Sequence, residues 1–313
     1  MNLRMSTGPH LLDKDTTQSL MLDVLIALIP ATALGVYFFG VSAALVLLVC
    51  IVTAVLSELI WQVLMKKPVR ITDFSAVVTG LILGLNLPAN APLWMAALGS
   101  AIAILLVKQL FGGIGHNFLN PAIFARAVLL ASWPVHMTSY VLPQRLLLGS
   151  AAPSGVDVVA SATPLLSTSQ WSTMDLFIGN IPGTIGEVSK AAILVGFAYL
   201  LLRGTITWHV PTFFVGTVAL LTWVLGGNPL TAVLTGGVLF GAVFMATDYV
   251  TNPMLRVGQC IFGVMCGVIV VVIRMYGGYP EGVTFAILFM NCITPLIDRY
   301  SKRKVYGEVK QHA

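Results

Sequence analysis

The chain has 313 residues, of which 57% are hydrophobic and only 9% are charged. Soluble domains carry about 25% charged residues, so this composition excludes an ordinary soluble domain and indicates a membrane protein with several crossings. The formal net charge is +5, but the Lys and Arg residues lie at the ends of apolar segments, where they determine topology. We therefore expect membrane lipid around this chain and no nucleic acid as a partner.

The apolar segments run to roughly 20 residues without the alternation of a barrel strand, which predicts transmembrane helices. Ten segments are predicted, at 20–40, 41–64, 73–87, 92–110, 119–133, 187–203, 207–225, 230–246, 255–274 and 281–298. Several are too short for a full crossing, and Gly, Asn or Pro interrupts or ends most of the short ones. The polar start runs to Gln18 and leads directly into a helical hairpin, so we expect no signal peptide.

The positions of the basic residues predict the orientation of the chain in the membrane. With the N-terminus in the cytoplasm, most of them fall on the inner side: Lys66, Lys67, Arg70, Lys108, Arg203, Arg256, Arg299, Lys302, Arg303 and Lys304. Only Arg145, Lys190 and Arg274 fall on or near the outer side. Both termini are therefore predicted to be cytoplasmic, and the loop around residue 163 extracytoplasmic.

The two halves of the chain resemble each other in sequence. Ser75-Ala-Val-Val-Thr-Gly80 matches Thr231-Ala-Val-Leu-Thr-Gly236, and Phe111-Gly-Gly113 matches Tyr276-Gly-Gly278. Each half holds five segments, an odd number, so the second copy must be inverted in the membrane. Inverted repeats with broken helices place their sites near the midplane, where half-helix ends meet. Chance matching of Gly-rich apolar stretches is the alternative.

The predicted fold is an all-α polytopic membrane protein with about ten transmembrane helices in two inverted five-helix repeats. Five regions follow from the pattern. They are a cytoplasmic N-terminus at 1–19, a first membrane repeat at 20–133, an extracytoplasmic loop at 134–186, a second membrane repeat at 187–298 and a basic cytoplasmic tail at 299–313.

The four cysteines all fall inside apolar segments, and their spacing is not that of an iron–sulfur or zinc site. We expect buried, unreactive thiols and no metal centre. The sequence also contains no Rossmann, Walker or HExxH motif. The sequence therefore offers no recognisable nucleotide-binding or cluster-binding motif.

The long loop carries the most specific chemical pattern, Asp157-Val-Val-Ala-Ser-Ala-Thr163-Pro-Leu165. Pro164 restricts the preceding residue to extended geometry, which presents the Thr163 hydroxyl, and a carboxylate stands six positions upstream. Long loops between apolar segments tend to carry function. Thr163 is thus a candidate attachment site, and an ordinary turn residue is the alternative.

Five stretches together resemble the RnfD/NqrB subunits of ion-translocating electron-transport complexes. They are Asp73-Phe-Ser-Ala-Val-Val-Thr-Gly80, Phe118-Leu-Asn-Pro-Ala122, Ala246-Thr-Asp-Tyr-Val-Thr-Asn-Pro253, Phe285-Ala-Ile-Leu-Phe-Met-Asn291 with Pro295-Leu-Ile-Asp298, and Ser161-Ala-Thr-Pro-Leu165. The resemblance covers nearly the whole chain. The short N-terminus, with about twenty residues before the first helix, is most similar to the RnfD members. The resemblance also implies a fold like that of the urea channels, in agreement with the repeat.

The resemblance implies a covalent FMN, attached to Thr163 through a phosphoester bond. The flavin-transferase motif would comprise Asp157, Ser161, Ala162, Pro164 and Leu165. The family pattern often has Ser or Thr three residues before the acceptor, where this chain has Ala160. A phosphate on the loop needs donors, and Arg145 and Lys190 are the obvious outer cations.

The resemblance further implies a role in a complex that moves electrons between ferredoxin and NAD and pumps Na⁺ or H⁺ across the prokaryotic inner membrane. The implied partners are an extracytoplasmic flavoprotein subunit, cytoplasmic NAD and ferredoxin subunits, and a flavin transferase. It also implies a second flavin, a riboflavin bound without a covalent link. Candidate residues for that site or for an electron or ion path are Asn117, Asn120, Arg126, Asp248 and Asn252, since Gly-rich turns and amides can face a flavin edge.

The ionisable residues at membrane depth are further functional candidates. They are Asp23, Glu58, Lys108 and Arg126, with Asp298 at the end of the last segment. Arg126 lies inside a short segment and needs a partner, for which a flavin ring, a carbonyl or an acidic residue would serve. Two other functions stay open. The same fold could form a passive channel or solute transporter, and an acceptor motif at Thr163 argues against that function. It could also form a structural scaffold for redox subunits, which predicts that Thr163→Ala leaves electron transfer intact.

Overall fold

This computed structural model describes residues 16–143, 172–277 and 281–301. Within these ranges the apolar segments of the chain form helices. The helices are α1 (Thr17–Phe39), α2 (Val41–Leu64), α3 (Ser75–Leu85), α4 (Leu93–Ile102), α5 (Pro121–Ser132), α6 (Pro134–Thr138), α7 (Thr173–Ile178), α8 (Lys190–Arg203), α9 (His209–Val224), α10 (Pro229–Leu234), α11 (Val238–Phe240), α12 (Arg256–Tyr276) and α13 (Val283–Ser301). A π-helical stretch continues α4 through Ala103–Gln109, and another continues α11 through Gly241–Met245. Each of the ten predicted segments coincides with one helix or with a broken helix.

Three helices in the described ranges are long and apolar enough to cross a membrane, namely α1, α2 and α12. The described ranges also contain shorter apolar helices, among them α3, α5 and α9. Large apolar side chains such as Ile29, Leu48 and Trp223 are exposed, which suits surroundings of lipid rather than water. The prediction of an all-α membrane protein is confirmed.

Local sequence signals explain where several helices begin. Thr16 and Ser19 form a reciprocal capping pair at the start of α1. The Asn120 side chain accepts hydrogen bonds from the backbone of Ala122 and Ile123, and Pro121 occupies the first turn of α5. An Asn cap satisfies helix N–H groups that lack an internal partner, and proline is preorganised for the first turn. The same Asn-Pro pair begins α10.

The helices of each half of the chain pack against one another, and further contacts join the two halves. Helix α2 packs against α3 and α4, and α9 packs against α10 and α12. Across the middle of the protein α1 packs against α8, and α5 packs against α13. Glycine allows these close approaches: a Cβ on Gly80 would lie 2.7 Å from the Cys50 carbonyl oxygen, and one on Gly267 would lie 2.6 Å from the Thr217 Cβ. Small residues at helix contacts are the usual means of packing in membranes.

A non-helical segment at 179–189 folds into the protein between α7 and α8. The Ile185 N–H donates to the Leu87 carbonyl oxygen at 3.1 Å, and the Gly186 N–H donates to the Leu85 carbonyl oxygen at 2.7 Å. These bonds satisfy the last carbonyl groups of α3 and the residues after it. Residues 181–186, at the end of the region predicted as an extracytoplasmic loop, are therefore buried among helices. Burial of this non-helical backbone is possible because its N–H groups find hydrogen-bond partners there.

Candidate functional site

A cavity lies between the first helices of the chain and the segment that follows the π-helical part of α11. It combines apolar walls with polar groups from both halves. Its lining includes Ser75, Lys108, Asn117, Asn120, Thr247, Asp248 and Tyr249, together with apolar side chains such as Val24, Val78, Ile82, Val243 and Phe244. The structure thus brings together three predicted site residues, Asn117, Asn120 and Asp248.

The two asparagines hold the turn that leads into α5. The Asn117 amide nitrogen donates to the Leu119 carbonyl oxygen at 3.0 Å. The Asn120 amide nitrogen donates to the Met245 carbonyl oxygen at 3.3 Å, while its oxygen caps α5. Asn120 therefore joins the start of α5 to the end of the π-helical stretch, and it fixes one wall of the cavity.

Asp248 forms the opposite polar edge and lies in the segment between the π-helical stretch and α12. Its side chain accepts a hydrogen bond from the Thr251 hydroxyl at 3.2 Å. Burial raises the pKa of Asp248 to about 6, although hydrogen bonds from Thr251 and from nearby backbone N–H groups oppose the rise. This carboxyl group can therefore change its charge near neutral pH at the edge of the cavity.

A buried ion pair lies between this cavity and a second cavity. In the predicted topology, the second cavity is on the cytoplasmic side. The Lys108 Nζ atom lies 2.9 Å from Glu58 Oε2 and 2.6 Å from the Ser75 hydroxyl. Gln109 donates to Glu58 Oε1 at 2.7 Å. Lys108 lines the first cavity, and Glu58 lines the second, with a volume of about 280 Å³. Glu58 and Lys108, which the sequence analysis named as separate ionisable residues, are therefore partners in one ion pair.

Arg126 lies outside the cavity lining and finds an acidic partner. Its guanidinium pairs with the Glu281 carboxylate and donates to the Asn86 side-chain oxygen at 2.9 Å. Arg126 and Glu281 are 4% and 6% exposed. Of the three partners considered from the sequence, the structure supplies the acidic residue.

The remaining candidates take separate positions. Asn252 does not line the cavity, although it lies four residues after Asp248. Asp23 pairs with Arg203 at 3.2 Å, and Asp298 accepts a hydrogen bond from the Met254 N–H at 3.1 Å. These contacts tie helices together, so they assign Asp23 and Asp298 a structural role.

The predicted flavin-acceptor loop, with Asp157, Ser161, Ala162, Thr163, Pro164, Leu165 and the cation Arg145, lies outside the described residues. Lys190, expected to be the second outer cation, is fully buried, and its Nζ atom donates to the carbonyl oxygens of Glu187 and Gly236. The interpretation of Lys190 as a phosphate donor on the loop is therefore wrong. A lysine that caps buried carbonyl groups is not available to the loop.

Sequence reasoning missed two buried carboxylates, Glu187 and Glu281. Both stand at the first residue of a predicted apolar segment, where a charge usually faces interfacial water. Glu187 is 4% exposed because the 179–189 segment folds inward. The available signal was Arg126, whose burial required a negative partner.

In the described ranges, no group of three His, Cys, Asp or Glu side chains could hold a metal ion. Cys50 and Cys266 are buried, as expected, whereas Cys260 is half-buried and Cys292 is exposed. The exposed thiol lies on α13, so it does not follow the expectation of burial.

The fold and the cavity define an all-α membrane protein with buried charged groups in its interior. The sequence profile of the NQR2, RnfD, RnfE family matches residues 4–307. A protein of Acetobacterium woodii, named as part of a Na(+)-translocating ferredoxin:NAD(+) oxidoreductase complex, is 46% identical over 318 residues, which cover 99% of this chain and 97% of that protein. A protein of Clostridium ljungdahlii, named as part of a proton-translocating ferredoxin:NAD(+) oxidoreductase complex, is 39% identical, covering 96% and 95%.

A third relative, from Cronobacter sakazakii, is named as part of an ion-translocating oxidoreductase complex and is 35% identical, covering 98% of this chain and 99% of its own length. The chain therefore belongs to the NQR2, RnfD, RnfE family. The resemblance found in the sequence motifs is confirmed.

Proposed function

We propose that the chain is a membrane flavoprotein subunit of an ion-translocating ferredoxin:NAD oxidoreductase complex in a prokaryotic inner membrane. It would pass electrons across the membrane, coupled to movement of Na⁺ or H⁺. The observation that carries this proposal is similarity over almost the full length to proteins named as the corresponding subunit of such complexes. Because those relatives differ in the ion that their names give, the coupling ion of this chain stays open.

The subunit would span the membrane with about ten helices in two inverted repeats, α1–α5 and α8–α13, as in the urea-channel architecture. The equivalent packing of α2 with α3 and α4, and of α9 with α10 and α12, supports this arrangement. The contacts of α1 with α8 and of α5 with α13 also join equivalent helices of the two repeats. Both termini would be cytoplasmic and the 163 loop extracytoplasmic.

The cavity around Asn117, Asn120 and Asp248 would hold the second, non-covalent flavin, a riboflavin. Its lining fits such a group, since apolar side chains can cover a planar ring while amide, hydroxyl and carboxyl groups reach the ring edges. Lys108 would add a positive charge at one edge. A bound flavin supplies one- and two-electron transfer, and the protein supplies the binding, the orientation and the local charge.

FMN would be attached to the Thr163 hydroxyl by a flavin transferase that reads the Asp157 to Leu165 motif. A tether gives an electron carrier a high effective concentration near its partners without a full binding cavity. Ferredoxin and NAD would react at cytoplasmic partner subunits, and an extracytoplasmic flavoprotein subunit would exchange electrons with the FMN.

In-gel ultraviolet fluorescence of the denatured chain tests the attachment. Wild type, Thr163→Val and the matched control Thr168→Val, which lies outside the motif, should be produced with an active flavin transferase that reaches the outer face. We expect fluorescent bands for wild type and Thr168→Val, and none for Thr163→Val. Dark bands in all three, beside a second transferase target that fluoresces, would favour the channel or solute-transporter alternative, which needs no acceptor motif.

A further inference from the structure

A second polar cluster lies apart from the flavin cavity, where the inward-folded 179–189 segment meets other broken or terminal helix ends. It joins Arg126 of α5, Glu187 of the segment, Lys190 at the start of α8 and Glu281 just before α13. Each of these residues is at most 6% exposed. None of them lines the flavin cavity. Non-helical backbone at membrane depth is tolerated where it is buried in protein or lines a polar space.

The Glu187 carboxylate in this cluster is only half satisfied. Its Oε1 atom accepts a hydrogen bond from the Thr184 N–H at 3.1 Å. Its Oε2 atom is buried and has no hydrogen-bond partner among the described residues. Lys190 does not supply one, because its Nζ atom donates to the backbone oxygens of Glu187 and Gly236. A buried carboxylate oxygen without a donor favours the protonated group over the charged one.

Two glycines approach this carboxylate closely. A Cβ on Gly183 would lie 3.1 Å from Glu187 Oε1, and a Cβ on Gly237 would lie 3.1 Å from Oε2. Such distances are tighter than ordinary van der Waals contact, so any larger residue would crowd the oxygens. The backbone therefore packs closely around Oε2, and among the residues described no protein group donates a hydrogen bond to it.

The charges that face Glu187 come from every element packed around it. The negative charge of Glu281 opposes that of Glu187, while Lys190, Arg126 and Arg274 attract it, and the Tyr140 hydroxyl also lies nearby. These groups act on Glu187 through their charge or dipole, and none of them donates a hydrogen bond to its carboxylate among the described contacts.

The cations near Glu187 are bonded elsewhere. Arg126 bonds Glu281 and Asn86, and the Arg274 guanidinium donates to the carbonyl oxygens of Ala232 and Thr235 at 2.7 and 3.0 Å. Hydrogen bonds hold a carboxylate in its charged form, and the Glu187 side chain receives a single one from the described part of the chain. Glu281 also has one buried carboxylate oxygen without a hydrogen-bond partner among the described residues, but its other oxygen pairs with the Arg126 guanidinium. Since the described residues give Glu187 no ion pair, we take Glu187 as the group of the cluster most free to change its protonation.

We propose that Glu187 is a proton-binding site inside the membrane domain, which takes up a proton when an electron reaches the flavin cavity and releases it when the electron leaves. The carboxylate takes one proton from a hydronium ion of the aqueous phase, which becomes water, and the group becomes a neutral carboxylic acid; on release the proton returns to water as hydronium. The added proton compensates the added electron in a region of low dielectric, where an uncompensated charge is costly. The link to electron transfer rests on the proposed function, whereas proton binding itself does not.

Infrared spectroscopy of the purified complex tests proton binding first, without any redox change. Wild type, Glu187→Gln and the control Asp23→Asn should be titrated with pH. Asp23 is also buried, but both of its carboxylate oxygens accept hydrogen bonds, from Tyr199, Arg203 and Thr205. We expect a carboxylic acid C=O band that grows as the pH falls in wild type and Asp23→Asn and is lost in Glu187→Gln. A band that persists in Glu187→Gln, or is absent from wild type, overturns the proposal.

Gly237→Ala gives an independent variant in case Glu187→Gln does not assemble. It keeps every charge but places a methyl group beside Oε2, so the titration midpoint of the band should shift, and an unchanged midpoint overturns the proposal. Reduced-minus-oxidised spectra then test the coupling, with flavin absorbance recorded on the same sample. A titrating band that does not respond to a reduced flavin overturns the coupling alone. A sample with no flavin absorbance contradicts the proposed function instead.

Discussion

Replacing Lys108 by methionine should strongly destabilise the protein, because it strands a buried carboxylate. The Lys108 and Glu58 side chains are 4% and 2% exposed, and Lys108 also bonds Ser75 at 2.6 Å. Removing one partner of a buried ion pair costs about 3–5 kcal/mol. Gln62 and Gln109 continue to donate to Glu58 in the variant, so we expect the lower end of that range, about 3 kcal/mol.

The assay is SDS-induced unfolding of the purified subunit, followed by tryptophan fluorescence. Arg203→Met is the matched control, because its pair with Asp23 is similar in chemistry but Arg203 is 52% exposed. The exposed guanidinium is screened by water, and the buried Asp23 keeps its hydrogen bonds from Tyr199 and Thr205 in this variant, so we expect a loss of about 1 kcal/mol or less. The double variant Lys108→Met/Glu58→Gln should recover about 2 kcal/mol relative to the sum of the single variants. Additive effects, or equal losses for Lys108→Met and Arg203→Met, would refute the reasoning.

Three further predictions concern the cavity and the packing around it. Because burial raises the pKa of Asp248 to about 6 from an ordinary value of 3.8, the stability it contributes is complete below the ordinary value and is lost as pH rises through about 6. Asp248→Asn should therefore melt at a higher temperature than wild type above pH 6 and lose this advantage in acid; equal melting curves at every pH would contradict this. Asn120→Ala removes a helix cap and should cost about 1 kcal/mol, whereas Asn120→Asp should retain the cap and much of that stability when both are measured by SDS unfolding. Gly267→Val should destabilise α12 against α9 far more than Gly216→Val, since a Cβ at 267 would meet Thr217 at 2.6 Å and one at 216 meets nothing within 4 Å; similar melting temperatures for the two variants would count against the packing argument.

The sequence was sufficient to predict the helical segments, since their apolar length and their Asn-Pro starts are local signals. The Asn120-Pro121 pair is such a signal, because the Asn120 side chain caps α5 and Pro121 occupies its first turn. Glu58 and Lys108 were each recognisable as ionisable groups at membrane depth. Their pairing was not, because the two residues are 50 positions apart and only the packing of α2 against the π-helical stretch after α4 brings them together.

The inward course of residues 179–189 was the main feature beyond sequence reasoning. The segment contains Gly and Pro and has no helical period, which is typical of a surface loop. It is buried because its N–H groups satisfy the carbonyls of Leu85 and Leu87, which is a tertiary contact without a sequence signature. Glu187 and Lys190 were carried inward with it, and for that reason their burial was missed.

Coupled transport by the intact complex tests the central proposal most directly. Complexes with wild type, Thr168→Val and Thr163→Val should be reconstituted in vesicles, and ferredoxin-dependent NAD reduction and ion uptake measured together. The account predicts that wild type and Thr168→Val retain both activities and that Thr163→Val loses both while still assembling. Full ion uptake by an assembled Thr163→Val complex that carries no covalent flavin would contradict it.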